Sequence, residues 1–107
     1  AMKFDNKTVD YLKYLTLSFF HSCENLDENI FSTKKGQFSI SLFESIFVAT
    51  AIDNFKEHTL IEKKISSQSI ITLKENADFI NSNQGSVASK QNLNTRISKA
   101  IEILSFD

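Results

Sequence analysis

The sequence predicts an all-α fold: a compact bundle of about four main helices around a central buried one. Three observations carry that reading. Apolar residues recur at three- and four-residue steps in several stretches, the spacing that lines one side of a helix. The chain has no Pro and two Gly in 107 residues, which fits long helices joined by short polar turns. It does not fit a sandwich or barrel built on many tight turns. Ten Phe and no Trp supply bulky, purely apolar core filling.

The first helix is expected at about residues 8–24, where Leu12, Leu15, Phe19, Cys23 and Leu26 form a stripe. Asp5, Asn6 or Thr8 can cap its start, and Asn25 can take the left-handed conformation that ends a helix. A short extra turn near residues 27–31 would carry Ile30 and Phe31 inward. Residues 32–37 are polar with one glycine, Gly36, and read as an exposed loop.

The central helix is expected at about residues 40–55. Leu42, Phe43, Ile46, Phe47 and Ala49 cover one side of its first half. Val48, Ala51, Ile52 and Phe55 cover the opposite side of its second half. A helix that is apolar on several sides is covered by several neighbours. Phe47 is therefore expected to be enclosed. Ser41-Leu42-Phe43-Glu44 fits the capping box, in which the serine hydroxyl and the carboxylate satisfy each other's backbone amides. Ser39 is the rival cap.

Residues 56–65 are polar and poorly periodic, and Leu60 and Ile61 are expected to tuck this connection down. A third helix at about 67–82 carries Ile70, Leu73, Ala77 and Ile80, with Ser66 or Ser67 as cap. Residues 81–85 read as its stop, with Gly85 able to adopt positive φ, and residues 86–91 as a flexible link. The last helix at about 90–105 places Leu93, Ile97, Ala100, Ile101 and Leu104 on one face. No internal repeat occurs, and no heptad pattern is long enough for a coiled coil.

A formal net charge of −1 gives no electrostatic case for nucleic acid or an anionic membrane. One cysteine, Cys23, excludes an internal disulfide and a cysteine-rich zinc site. No signal peptide or run of 18 apolar residues is present, so the expected compartment is the cytoplasm. The abundance of Lys, Asn, Ile and Ser points to an AT-rich, bacterial coding sequence. Ala1 before Met2 reads as a cloning scar. Residues 2–107 are expected to form one helical domain, excised from the C-terminal part of a longer protein.

No catalytic, cofactor-binding or metal-binding set emerges, and the chain is read as non-enzymatic. His21 and Cys23 lie about 200° apart on a helix and cannot share a metal; His58 has no ligand-spaced partner. Asp53 with Glu57, and Asp27 with Glu28, read as solvated helix surface rather than acid–base pairs. Lys34-Lys35 and Lys63-Lys64 are basic spots without interleaved aromatics. Gly36 and Gly85 stand alone and form no phosphate cradle. Phe19, Phe20, Phe43, Phe47 and Phe55 read as core, with a docking surface as the alternative for some of them.

One structural ion pair is expected. Glu44 lies on an otherwise apolar stripe, and Arg96 is the sole arginine beside eleven lysines. A desolvated carboxylate favours the bidentate guanidinium fork. The alternative is that Glu44 closes its own capping box while Arg96 faces water.

Two stretches carry a family resemblance. Glu28-Asn29-Ile30-Phe31, a polar gap, then Ser39-Ile40-Ser41-Leu42-Phe43-Glu44-Ser45-Ile46 resembles the C-terminal helical part of GmrSD-like bacterial proteins. Asn94-Thr95-Arg96-Ile97, followed by Ala100-Ile101, is similar to that family's closing helix. The resemblance covers about Leu12 to Leu104. These proteins carry a ParB-fold N-terminal domain and include modification-dependent restriction systems. The resemblance implies that the nucleotide-binding and nuclease chemistry lies in that N-terminal domain. Its Asp-Gly-Gln-Gln-Arg-type motif is absent here, so no catalytic residue carries over. The expected role is a helical accessory domain that packs on or regulates a catalytic domain of the same longer protein. The alternatives are a free-standing adaptor or antitoxin-like protein-binding module, and then a small nucleic-acid-binding module.

Overall fold

The computed structural model describes residues 6–27, 29–32, 36–82 and 90–106. Within them the chain forms five helices and no strand: α1 (Asn6–Ser22), α2 (Ile40–Glu57), α3 (Ser67–Glu75), α4 (Ala77–Ser82) and α5 (Lys90–Ile103). The all-α bundle expected from periodicity is the fold. Of the stop expected at residues 81–85, Asn81 and Ser82 still belong to α4, while the rest of it and most of the link after it lie outside the described residues.

Helix α2 lies between α1 and α5, and α5 in turn packs against α3 and α4. Leu42, Ser45, Ile46, Thr50 and Ala51 are its buried residues. Its second apolar side is only partly covered. Val48 and Ile52 are half-buried, and Phe55 is exposed with its ring tilted against Tyr11 at 6.4 Å. Phe47 is likewise only half-buried, although it packs on the core.

Ser39 caps α2, its hydroxyl accepting from the Leu42 amide at 3.3 Å. The rival cap wins because the chain turns helical at Ile40. Ser41 therefore sits inside the first turn, where its hydroxyl pairs with that of Ser39 at 3.3 Å and its carbonyl accepts from Ser45 Oγ at 2.7 Å. Glu44 then lies beyond the position from which a carboxylate reaches back to the cap. At the far end His58 takes the left-handed conformation, φ 57°, and the Thr59 amide donates to the Asn54 carbonyl at 2.9 Å. This is a Schellman-type ending on a residue other than glycine. The His58 imidazole stacks on the Tyr11 ring at 3.8 Å and 19°, a contact that offsets part of the left-handed cost.

The third expected helix is broken in two. Asn76 leaves the helical region with ψ 127° and ends α3. Its side-chain oxygen accepts from the Phe79 amide at 3.0 Å, so the same residue caps α4. An asparagine side chain competes with the backbone for such amides, and here it wins. The break changes the buried face. Phe79 is buried and Ile80 and Ala77 are exposed, whereas an unbroken helix would bury Ala77 and Ile80. Ala100 of α5 and Leu104 just after it are buried as expected, but Arg96 is buried beside them and Ile101, expected on the same face, is exposed.

Hydroxyl groups dock the connection between α2 and α3 onto α1. Ser18 accepts from the Ile61 amide at 3.1 Å, and Ser22 donates to the Lys63 carbonyl at 2.6 Å. The Ile65 amide donates to the Ser22 carbonyl at 3.1 Å. Ile61 and Ile65 are buried as a result, while Leu60 stays exposed. The C-terminal tail closes over the same segment through an antiparallel bridge between Ile65 and Phe106. Lys63 lies over the Phe106 ring at 3.9 Å, a cation–π contact.

Candidate interaction surface

The aromatic residues form a connected ladder rather than a pocket. Phe19 is fully buried; its ring meets Phe47 at 4.8 Å and 73°, and Phe43 at 5.6 Å and 90°. Edge-to-face geometry of this kind suits the ring quadrupole. Phe43 in turn meets Phe31 at 5.2 Å and Phe38 at 5.8 Å. The ladder surfaces at both ends. Phe20, 6.2 Å from Phe19, is exposed on α1, and Phe38 is 59% exposed just before α2.

Local structure explains why Phe38 and Ile40 stand out. Phe38 forms an antiparallel bridge with Ser32, and the Ser39 amide donates to the Phe31 carbonyl at 2.8 Å. Gly36, at φ 81°, turns the chain back toward that bridge. This return leaves Ile40 at the first position of α2, 72% exposed. Phe38 and Ile40 thus present apolar side chains at one end of the aromatic ladder, and Phe20 does so at the other.

The expected Glu44–Arg96 pair is not among the ion pairs of the described residues. Glu44 is exposed. Arg96 is buried, and its Nη1 donates to the Ser82 carbonyl at 3.1 Å. Ser82 is the last residue of α4, where unsatisfied carbonyls and the helix dipole favour a cation. Arginine does fasten the last helix, but to the end of α4 rather than to the start of α2.

Most other candidates have structural settings. The Lys64 ammonium bonds to the Glu24 carboxylate and to the His21 carbonyl at 3.0 Å, which ties the docked connection to the end of α1. Lys64, and more weakly His21 at 3.7 Å, hold the Glu24 carboxyl below its ordinary pKa. Cys23 is half-buried, and burial pushes its thiol up to about 11, which leaves it poorly nucleophilic. Asp53, Glu57 and Asp27 are exposed, and Asp27 accepts from the Asn29 amide at 2.8 Å. Glu28, Lys34, Lys35 and Gly85 lie outside the described residues. Among the described residues no group of three or more His, Cys, Asp or Glu is placed to hold a metal ion. A wide, shallow depression along α5 is lined by Gln91, Asn94, Thr95, Ser98 and Lys99. Lys99 is engaged by Glu102 at 3.2 Å and Asp78 at 3.4 Å; these partners, Glu102 foremost, raise its pKa.

Sequence reasoning missed Tyr11. Its hydroxyl lies 2.8 Å from the Asn54 carbonyl and 2.7 Å from the Thr59 carbonyl, and its one proton serves either. Burial raises the pKa of this phenol. The available signal was its position four residues before Leu15, on the same helix face as Ser18 and Ser22.

Fold and surface together define an all-α bundle with an exposed apolar edge. No helix among the described residues is long and apolar enough to cross a membrane. No family model, curated protein or solved structure matches the chain.

Proposed function

We propose that this chain is a non-catalytic helical accessory domain that docks on another protein domain through the edge formed by Phe38 and Ile40. The exposure of these two side chains beside a packed aromatic core is the observation that supports this reading. Interface centres are enriched in aromatic residues, and contiguous exposed apolar groups mark interaction sites. The resemblance to the C-terminal part of GmrSD-like bacterial proteins supplies the partner: a ParB-like catalytic domain of the same cytoplasmic polypeptide. The nucleotide and nuclease chemistry belongs to that partner, and the helical domain packs on it or regulates it.

The test begins with the full reading frame. ParB-like sequence upstream of Met2 is expected, and a natural start at Met2 ends this proposal. Where the upstream domain exists, it is produced separately and titrated with the helical domain by calorimetry. Binding that weakens at least about tenfold on Ile40→Asp and on Phe38→Asp supports the assignment, since central apolar anchors dominate interface energies. Binding unchanged by either substitution refutes the assigned face.

A further inference from the structure

Helix α1 has a second outward face, and its side chains are ordered in a way that amphipathicity does not require. Lys7, Asp10, Tyr14, Leu17, His21 and Glu24 follow alternating three- and four-residue steps, the a and d positions of a seven-residue repeat. All six are exposed, Tyr14 by 57%. The first five lie on α1 itself and Glu24 in the turn that ends it, where the Glu24 amide donates to the His21 carbonyl at 3.2 Å.

The order is self-complementary under reversal. When two such helices meet antiparallel about a two-fold axis between residues 15 and 16, each a position faces a d position of the other copy. Tyr14 then meets Leu17, Asp10 meets His21, and Lys7 meets Glu24, each pair occurring twice. Apolar layers fall at the centre, flanked on both sides by a carboxylate–imidazole layer and then by a layer of opposite charges. A parallel pairing would set Lys7 against Lys7 and Asp10 against Asp10, which like-charge repulsion disfavours. The stripe is too short to make a free coiled coil. It need not make one, because α1 is already held as a helix by Leu15, Phe19 and the docked serines on its inner side.

We infer that the outer face of α1 is an isologous interface with a second copy of this chain, the two α1 helices running antiparallel. Two-fold self-association through one patch is the commonest closed symmetry. The 17 residues of α1 span about 25 Å at 1.5 Å per residue. One helix pair of that length buries roughly 1,000 Å² in total, the lower end of specific interfaces, so the dimer is concentration-dependent. The groups around His21 are Glu24 and Lys64 of its own chain and Asp10 of the other copy. The face is distinct from the Phe38–Ile40 edge, so either proposal can fail without the other.

Sedimentation equilibrium of the purified chain between about 5 and 500 µM, in low salt, tests this. The mass is expected to rise from 12.2 kDa toward twice that value, with a dissociation constant in the tens to hundreds of micromolar. Leu17→Lys should abolish the rise. Asp10→Lys and His21→Glu should each weaken self-association at least about fivefold, the first by removing the carboxylate that faces His21 and the second by setting a carboxylate against Asp10 in both flanking layers. An equal mixture of these two single variants should dimerise about as well as the original chain, since in the mixed dimer the introduced lysine faces the introduced glutamate while the other flanking layer keeps its Asp10–His21 pair. Circular dichroism should show unchanged helicity for all three variants, whose sites are exposed. A chain that stays monomeric throughout, a dimer indifferent to Leu17→Lys, or a mixture that fails to recover overturns the inference.

Discussion

Truncating Phe19 to alanine should be among the most damaging single changes in this chain. Phe19 has no exposed surface, and its ring contacts Phe43, Phe47 and Phe20. Removing the ring gives up about 150 Å² of buried apolar area, worth about 4 kcal/mol at 25 cal/mol per Å². The cavity left behind and the lost edge-to-face contacts keep the total in the range of about 3–5 kcal/mol. A domain of this size has a stability of roughly 5–15 kcal/mol, so the variant should sit near the edge of folding. Phe47→Ala should cost only about 2 kcal/mol, because part of that ring faces water already. Urea titration followed by circular dichroism reads both values, with the m-value checked for constancy. A Phe19→Ala loss below about 1.5 kcal/mol refutes the packing account. So does a Phe47→Ala loss exceeding that of Phe19→Ala.

Four further outcomes are expected. Thr50 Oγ1 is buried without a hydrogen-bond partner, so Thr50→Val should be neutral or stabilising by about 1 kcal/mol in the same titration; a loss above about 1 kcal/mol contradicts this. Tyr11→Phe should destabilise by about 1–2 kcal/mol, because the Asn54 and Thr59 carbonyls lose a shared donor; an unchanged urea midpoint counts against that role. Glu24 has its folded-state pKa lowered, chiefly by the Lys64 hydrogen bond, so its stabilisation is present above the unfolded carboxylate pKa and is lost as pH falls through the folded value. Urea midpoints of the original chain and Glu24→Gln should therefore differ near neutral pH and converge in acid, and a gap that widens on acidification reverses the sign. The Cys23 thiol, raised to about 11 and half-buried, should react with a thiol reagent at about pH 8 far more slowly than a free cysteine until urea unfolds the chain; rapid native labelling refutes its burial.

Sequence by itself determined the all-α class and most helix boundaries, while the expected four main helices become five among the described residues because Asn76 splits the third. The reason is local. Three- and four-residue spacing of Leu15 and Phe19, or of Leu42 and Ile46, selects a helix before any tertiary contact forms, and Ser39 and Ser66 cap through amides within a few residues. Only the tertiary structure decided which apolar side chains stay exposed. Helix spacing makes Phe79 and Ile80 near neighbours, and the Asn76 cap turns one inward and the other out. Phe55 and Ile101 satisfy an apolar stripe yet stay more than half exposed. The fate of Arg96 was likewise beyond sequence. Its partner is a backbone carbonyl at the end of α4, a group that every residue carries and that becomes a distinct acceptor only where a helix stops.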